Sequence, residues 1–102
     1  IETETDADFA LKVTGDSMEP TIPEGAVALV KKVSTSQIKN GVPCVVIING
    51  DDGVLKRFYK DSFGFVLQSD NNKYEPIFIP KKLWEAECHF VGVVVEYKMK
   101  LV

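Results

Sequence analysis

The pattern of the chain predicts a mostly-β fold: bent multi-stranded sheets forming a partial barrel, with one short helix. Three observations carry this expectation. Short β-branched and aromatic runs recur along most of the length, Gly-, Asn-, Asp- and Pro-containing turns separate them, and only one segment has helical character.

The elements follow in order. Residues 9–13 alternate, with Phe9, Leu11 and Val13 on one face and Ala10 and Lys12 on the other. Residues 27–33 form a second β-branched run after the turn signal Pro23-Glu24-Gly25. Residues 43–48 and 54–59 flank Asn49-Gly50-Asp51-Asp52-Gly53, a spacer holding both Asn-Gly and Asp-Gly, which predicts a hairpin. Residues 65–67 follow a further turn at 61–64, and residues 90–97 supply a long last strand. A helix of about two turns is expected over 81–87, around Leu83 and Trp84, with Pro80 near its start.

A chain of 102 residues with 45% hydrophobic content supports one domain with a real core. Residues 1–8 are acidic and aperiodic and read as a linker remnant, so 9–102 is the expected domain; a start at Ile1 fits a piece of a longer protein. The longest apolar run, 42–48, is strand-length, interrupted by Pro43, and far short of the ~18 residues that span a bilayer. No secretory leader pattern is visible, so a cytoplasmic location without membrane partners is expected. The net charge of −3 and the scarcity of basic clusters beyond Lys31-Lys32 and Lys81-Lys82 argue against nucleic-acid binding by this piece alone. Cys44 and Cys88, in apolar strand contexts, read as buried thiols of a reducing compartment, although a single disulfide stays open.

Two features carry chemistry. In Gly15-Asp16-Ser17-Met18-Glu19-Pro20, Asp16 and Glu19 have the spacing of a capping box. A helical turn there would leave the Ser17 and Met18 N–H groups free, the parts of an oxyanion hole beside a serine nucleophile. Gly15 lets the strand turn sharply into the loop. Taken alone, the segment reads as an ordinary turn with a serine chosen for turn chemistry. Lys56 lies on the strand face it shares with Val54 and Phe58, so burial there would disfavour the ammonium and suit a general base. Taken alone, it reads as an edge lysine.

Other schemes are weaker. His89 is the only histidine and directly follows Cys88, so the two face opposite sides of a strand, and a core or surface histidine is the plainer reading. The cysteines and histidine match no zinc spacing, and Asp51, Asp52 and Asp70 read as solvated turn residues. No phosphate-binding glycine loop occurs, so neither metal nor cofactor is expected.

Together these segments resemble the peptidase domain of the LexA and phage-repressor family over about residues 9–97. Its motifs here are the run 9–20 continuing into Ile22-Pro23-Glu24-Gly25, then Leu55-Lys56-Arg57-Phe58 at the serine-to-lysine separation the family shows. A weaker block is 67–77, similar to the family's Asn-x-x-Tyr-x-Pro segment, here Asn71, Tyr74 and Pro76. The resemblance implies a LexA C-terminal-domain-like fold, a Ser17–Lys56 dyad, and a homodimer of repressors. DNA would be bound through a separate N-terminal helix-turn-helix domain. Self-cleavage would be stimulated by the RecA filament on single-stranded DNA. The family's Ala-Gly or Cys-Gly cleavage dipeptide is missing from this sequence, which places any scissile bond elsewhere. Alternatives are a dimerisation module with a vestigial dyad, a signal peptidase sharing the Ser17-Met18-Glu19-Pro20-Thr21 box, and a UmuD-like polymerase accessory protein.

Overall fold

β-Branched residues fit a pleated, half-buried surface, and here they build one seven-stranded antiparallel sheet. The structure is a computed structural model describing residues 7–50 and 53–100. Its strands are β1 (Phe9–Lys12), β2 (Val27–Lys31), β3 (Val42–Ile48), β4 (Gly53–Lys60), β5 (Gly64–Gln68), β6 (Ile77–Pro80) and β7 (Cys88–Lys98). They lie side by side in the order β1-β2-β7-β3-β4-β5-β6. A 3₁₀ turn, Thr35–Gln37, joins β2 to β3, and the helix α1 (Lys81–Glu87) joins β6 to β7.

The β3–β4 hairpin forms as the Asn-Gly spacer requires: Asn49 and Gly50 both adopt positive φ, 55° and 75°. The Asp51 and Asp52 positions lie outside the described residues, as does the linker expectation for residues 1–6. Asp8 is already tied to the sheet, its N–H donating to the Val30 carbonyl and its carboxylate accepting from the Lys32 N–H. α1 occupies the expected residues. β6 was not expected, because only Ile79 of its four residues is buried and Pro80 ends it, so it carries no alternation to read.

β7 is the hub of the sheet. Its register slips once against β2, at Leu29/Val30, and once against β3, at Val45/Val46. Each slip is a bulge, which bends a strand and increases its twist. The bent sheet holds two cores. One contains Ile38, Cys44, Val46, Phe58, Leu67 and Ile79, with Phe65, Trp84 and Phe90 packed on it. Phe58 is the centre of this aromatic group, its ring 5.3–5.6 Å from those of Phe65, Trp84 and Phe90. The second core is smaller: Val13, Met18, Ile22, Ala26 and Ala28, with Leu55 and Val94 against it.

Both cysteines are free; Cys44 is buried and Cys88 half-buried. His89 is exposed, the surface histidine of the two options open from sequence. Among the described residues, no helix is long and apolar enough to cross a membrane.

Candidate active site

The second core brings the two chemical features together. Met18, the residue after Ser17, is 1% exposed and anchors the 15–22 loop in that core. Leu55, the residue before Lys56, packs on the same cluster from β4. Ser17 and Lys56 are each one residue from an apolar anchor in the same core, and each lines the same groove of about 470 Å³. Leu11, Val13 and Thr14 of the β1 side and Gly53, Val54 and Leu55 of β4 form its walls.

The 15–22 loop is not the capped helical turn its spacing suggested. It is a series of turns, with the Glu19 N–H donating to the Asp16 carbonyl and the Ile22 N–H to the Met18 carbonyl. The two carboxylates of the expected capping box are used elsewhere. Glu19 accepts from the Glu24 N–H, and Asp16 accepts from the Tyr74 hydroxyl at 2.6 Å and pairs with Lys73 at 2.9 Å. These partners take the carboxylates that a local cap would have used. The Lys73 and Tyr74 hydrogen bonds hold the Asp16 carboxyl below its ordinary pKa. Gly15 enters the loop at φ +85°, the left-handed region glycine tolerates, and its N–H donates to Glu24. Among the described residues, neither the Ser17 nor the Met18 N–H donates to a protein acceptor.

Lys56 is half-buried, and desolvation lowers its pKa from the ordinary lysine value. Its ammonium nitrogen lies 2.7 Å from Ser69 Oγ and 5.5 Å from the centre of the Tyr74 ring. Val54, singled out with Lys56, lines the groove. Phe58 does not. It is wholly buried in the larger core, so its bearing on Lys56 is through fixing β4.

Segment 69–74 is the part of the site that local pattern did not disclose. Asp70, expected to be solvated, instead forms a two-point ion pair with Arg57 at 2.8 and 3.1 Å. The Arg57 hydrogen bond holds its carboxyl below the usual range. The Asn71 N–H donates to the Ser17 carbonyl and its side-chain amide to the Asp16 carbonyl, both at 3.0 Å. The run Ser69-Asp70-Asn71-Asn72 has turn composition, which says nothing about what it grips. The one available signal was the Asn-x-x-Tyr-x-Pro likeness.

A groove lined both by a serine on a tight loop and by a desolvated lysine suits acyl transfer. The profile of the Peptidase S24-like family matches residues 2–95 of the chain. The chain belongs to this family. As an S24 peptidase-family domain it is similar to LexA repressors: 39% identical over 88 residues to that of Clostridium tetani, covering 85% of this chain and 40% of the relative. It is 41% identical over 88 residues to the LexA repressor of Citrifermentans bemidjiense, covering 85% and 41%. To that of Koribacter versatilis it is 31% identical over 90 residues, covering 87% and 42%. The chain thus spans about two fifths of the length of these curated relatives. The family, the mostly-β fold and the LexA-like character expected from the sequence therefore hold.

Proposed function

We propose that this S24-family domain is the self-cleavage and dimerisation part of a LexA- or phage-type repressor, acting through a Ser17–Lys56 dyad. The observation that carries the reading is the shared groove, with Ser17 and a half-buried, pKa-lowered Lys56 in its wall. In this reaction neutral Lys56 Nζ takes the Ser17 hydroxyl proton as Oγ attacks a peptide carbonyl. The Ser17 and Met18 N–H groups stabilise the oxyanion. Lys56 returns the proton to the departing amine, and water, deprotonated by the same nitrogen, resolves the acyl-enzyme. Gly15 and Asp16 shape the nucleophile loop, and Val54 and Phe58 shape the strand that carries the base.

Dimerisation is supported by the apolar side chains left exposed on β2, β7 and just beyond: Val27, Val95, Tyr97 and Met99. Repression would then follow from linkage. Two weak half-site contacts made by separate DNA-binding domains hold while the dimer joins them, and cutting the connection removes that avidity. Stimulation by the RecA filament and a cytoplasmic location belong to the same reading.

The test is self-cleavage of the full-length protein from neutral to alkaline pH, with and without RecA filaments on single-stranded DNA. The wild-type protein is expected to cut itself faster as pH rises, and Ser17→Ala and Lys56→Ala to remain whole. A sedimenting dimer that stays uncut under all conditions would instead favour a dimerisation module with a vestigial dyad.

A further inference from the structure

Three consecutive residues after β5 each grip a different part of the site. Ser69 meets Lys56 Nζ, Asp70 clamps Arg57, and Asn71 holds the backbone of Asp16 and Ser17. The register accounts for the first contact. Gln68 is the last β5 residue paired with β4, opposite Arg57, so Ser69 falls opposite Lys56 as the strands part. Ser69 is 6% exposed, the one polar side chain among the described residues that is buried, and its hydroxyl is satisfied by the lysine.

We propose that Ser69 is a positioning residue for the base, its hydroxyl accepting one N–H of Lys56 so that the nitrogen's lone pair is directed to the Ser17 hydroxyl. The inference rests on the dyad reading above. A neutral primary amine is tetrahedral, with two N–H bonds and one lone pair at the end of a stem with four rotatable bonds. Fixing one N–H restricts rotation about the last carbon–nitrogen bond, and that rotation decides where the lone pair points. The alternative hydrogen bond, Ser69 donating to the lone pair, would occupy the electrons the base needs. Asp70 and Asn71 make the arrangement stiff: they pin the next two residues of the same segment to the base-bearing strand and to the nucleophile loop. Serine and lysine are therefore registered to one another through this segment as well as through the small core.

The test uses a fluorescent fluorophosphonate, which bonds to an activated serine oxygen with loss of fluoride while the base takes the hydroxyl proton. Labelling rates of the chain are followed against pH, with circular dichroism confirming that each variant is folded. Ser69→Ala is expected to lower the high-pH plateau by roughly ten- to a hundred-fold, within the span that general-base catalysis contributes. Ser69→Thr, which keeps the hydroxyl, is expected to recover most of it. A folded Ser69→Ala variant with the wild-type plateau would overturn the proposal and leave the dyad standing, provided Lys56→Ala is inert. Labelling that survives Lys56→Ala, or a wild-type chain that never labels, would overturn the dyad and the proposal with it.

Discussion

At the scale of the residue, Lys56 is where structure and chemistry meet. Its pKa is lowered by desolvation, so between that value and the ordinary lysine value of 10.5 the unfolded chain binds more protons than the folded one. Stability contributed at this site therefore rises with pH through that window, and the full penalty is felt below it. Lys56→Met should flatten the rise of the urea midpoint with pH through that window while abolishing cleavage; a pH dependence as steep as the wild type's would contradict the desolvation argument. The thiols differ for the same reason. Burial pushes the Cys44 pKa up to about 12, whereas Cys88 is half-buried and shifted upward less, by desolvation first and Glu87 second. Iodoacetamide should alkylate Cys88 first and reach Cys44 on unfolding, as peptide mass mapping would reveal.

At the scale of the element, the 69–74 segment and the 15–22 loop depend on each other. Asp70→Ala would leave the Arg57 guanidinium, only 29% exposed, without its two-point partner. Losing one partner of such a pair costs about 1–3 kcal/mol. A chemical denaturation curve checks this, and the variant should also cleave more slowly, since the segment it anchors carries Ser69 and Asn71. The hairpin that presents Lys56 was legible, because Asn49-Gly50 dictates its turn and the alternation of 54–59 dictates its faces. The loop that presents Ser17 was legible only in part. Asp16 and Glu19 do have capping-box spacing, but Tyr74, Lys73 and the Glu24 N–H, distant or off-register in sequence, take their carboxylates. β6 is not legible in the sequence, because an edge strand with one buried residue leaves no periodic mark.

At the scale of the molecule, the bends of β7 set how β2, and with it β1, joins the rest of the sheet. Gly92 sits between the two bulges, and a Cβ there would lie 2.4 Å from the Lys31 carbonyl oxygen and 2.9 Å from Val30 Cγ1. Gly92→Ala must push β2 from β7, and overpacking of this kind costs about 1–3 kcal/mol. A fall in melting temperature is the expected outcome, with weakened self-cleavage, because the β1–β2 layer carries one wall of the groove. An unchanged melting temperature would mean that the strands separate without penalty.

The sequence by itself determined the strand-rich class, the hairpin and the helix over 81–87, while its family resemblance singled out Ser17 and Lys56 as candidates. Those follow from alternation, turn chemistry and motif spacing, which are local properties of the chain. Only the tertiary structure decided that Met18 and Leu55 share a core, that Phe58 lies outside the groove, and that Ser69, Asp70 and Asn71 bind Lys56, Arg57 and the 15–22 loop together. Those depend on how a bent sheet brings distant segments into contact, and hydrogen-bond partners chosen across the fold are set by geometry that no local spacing encodes.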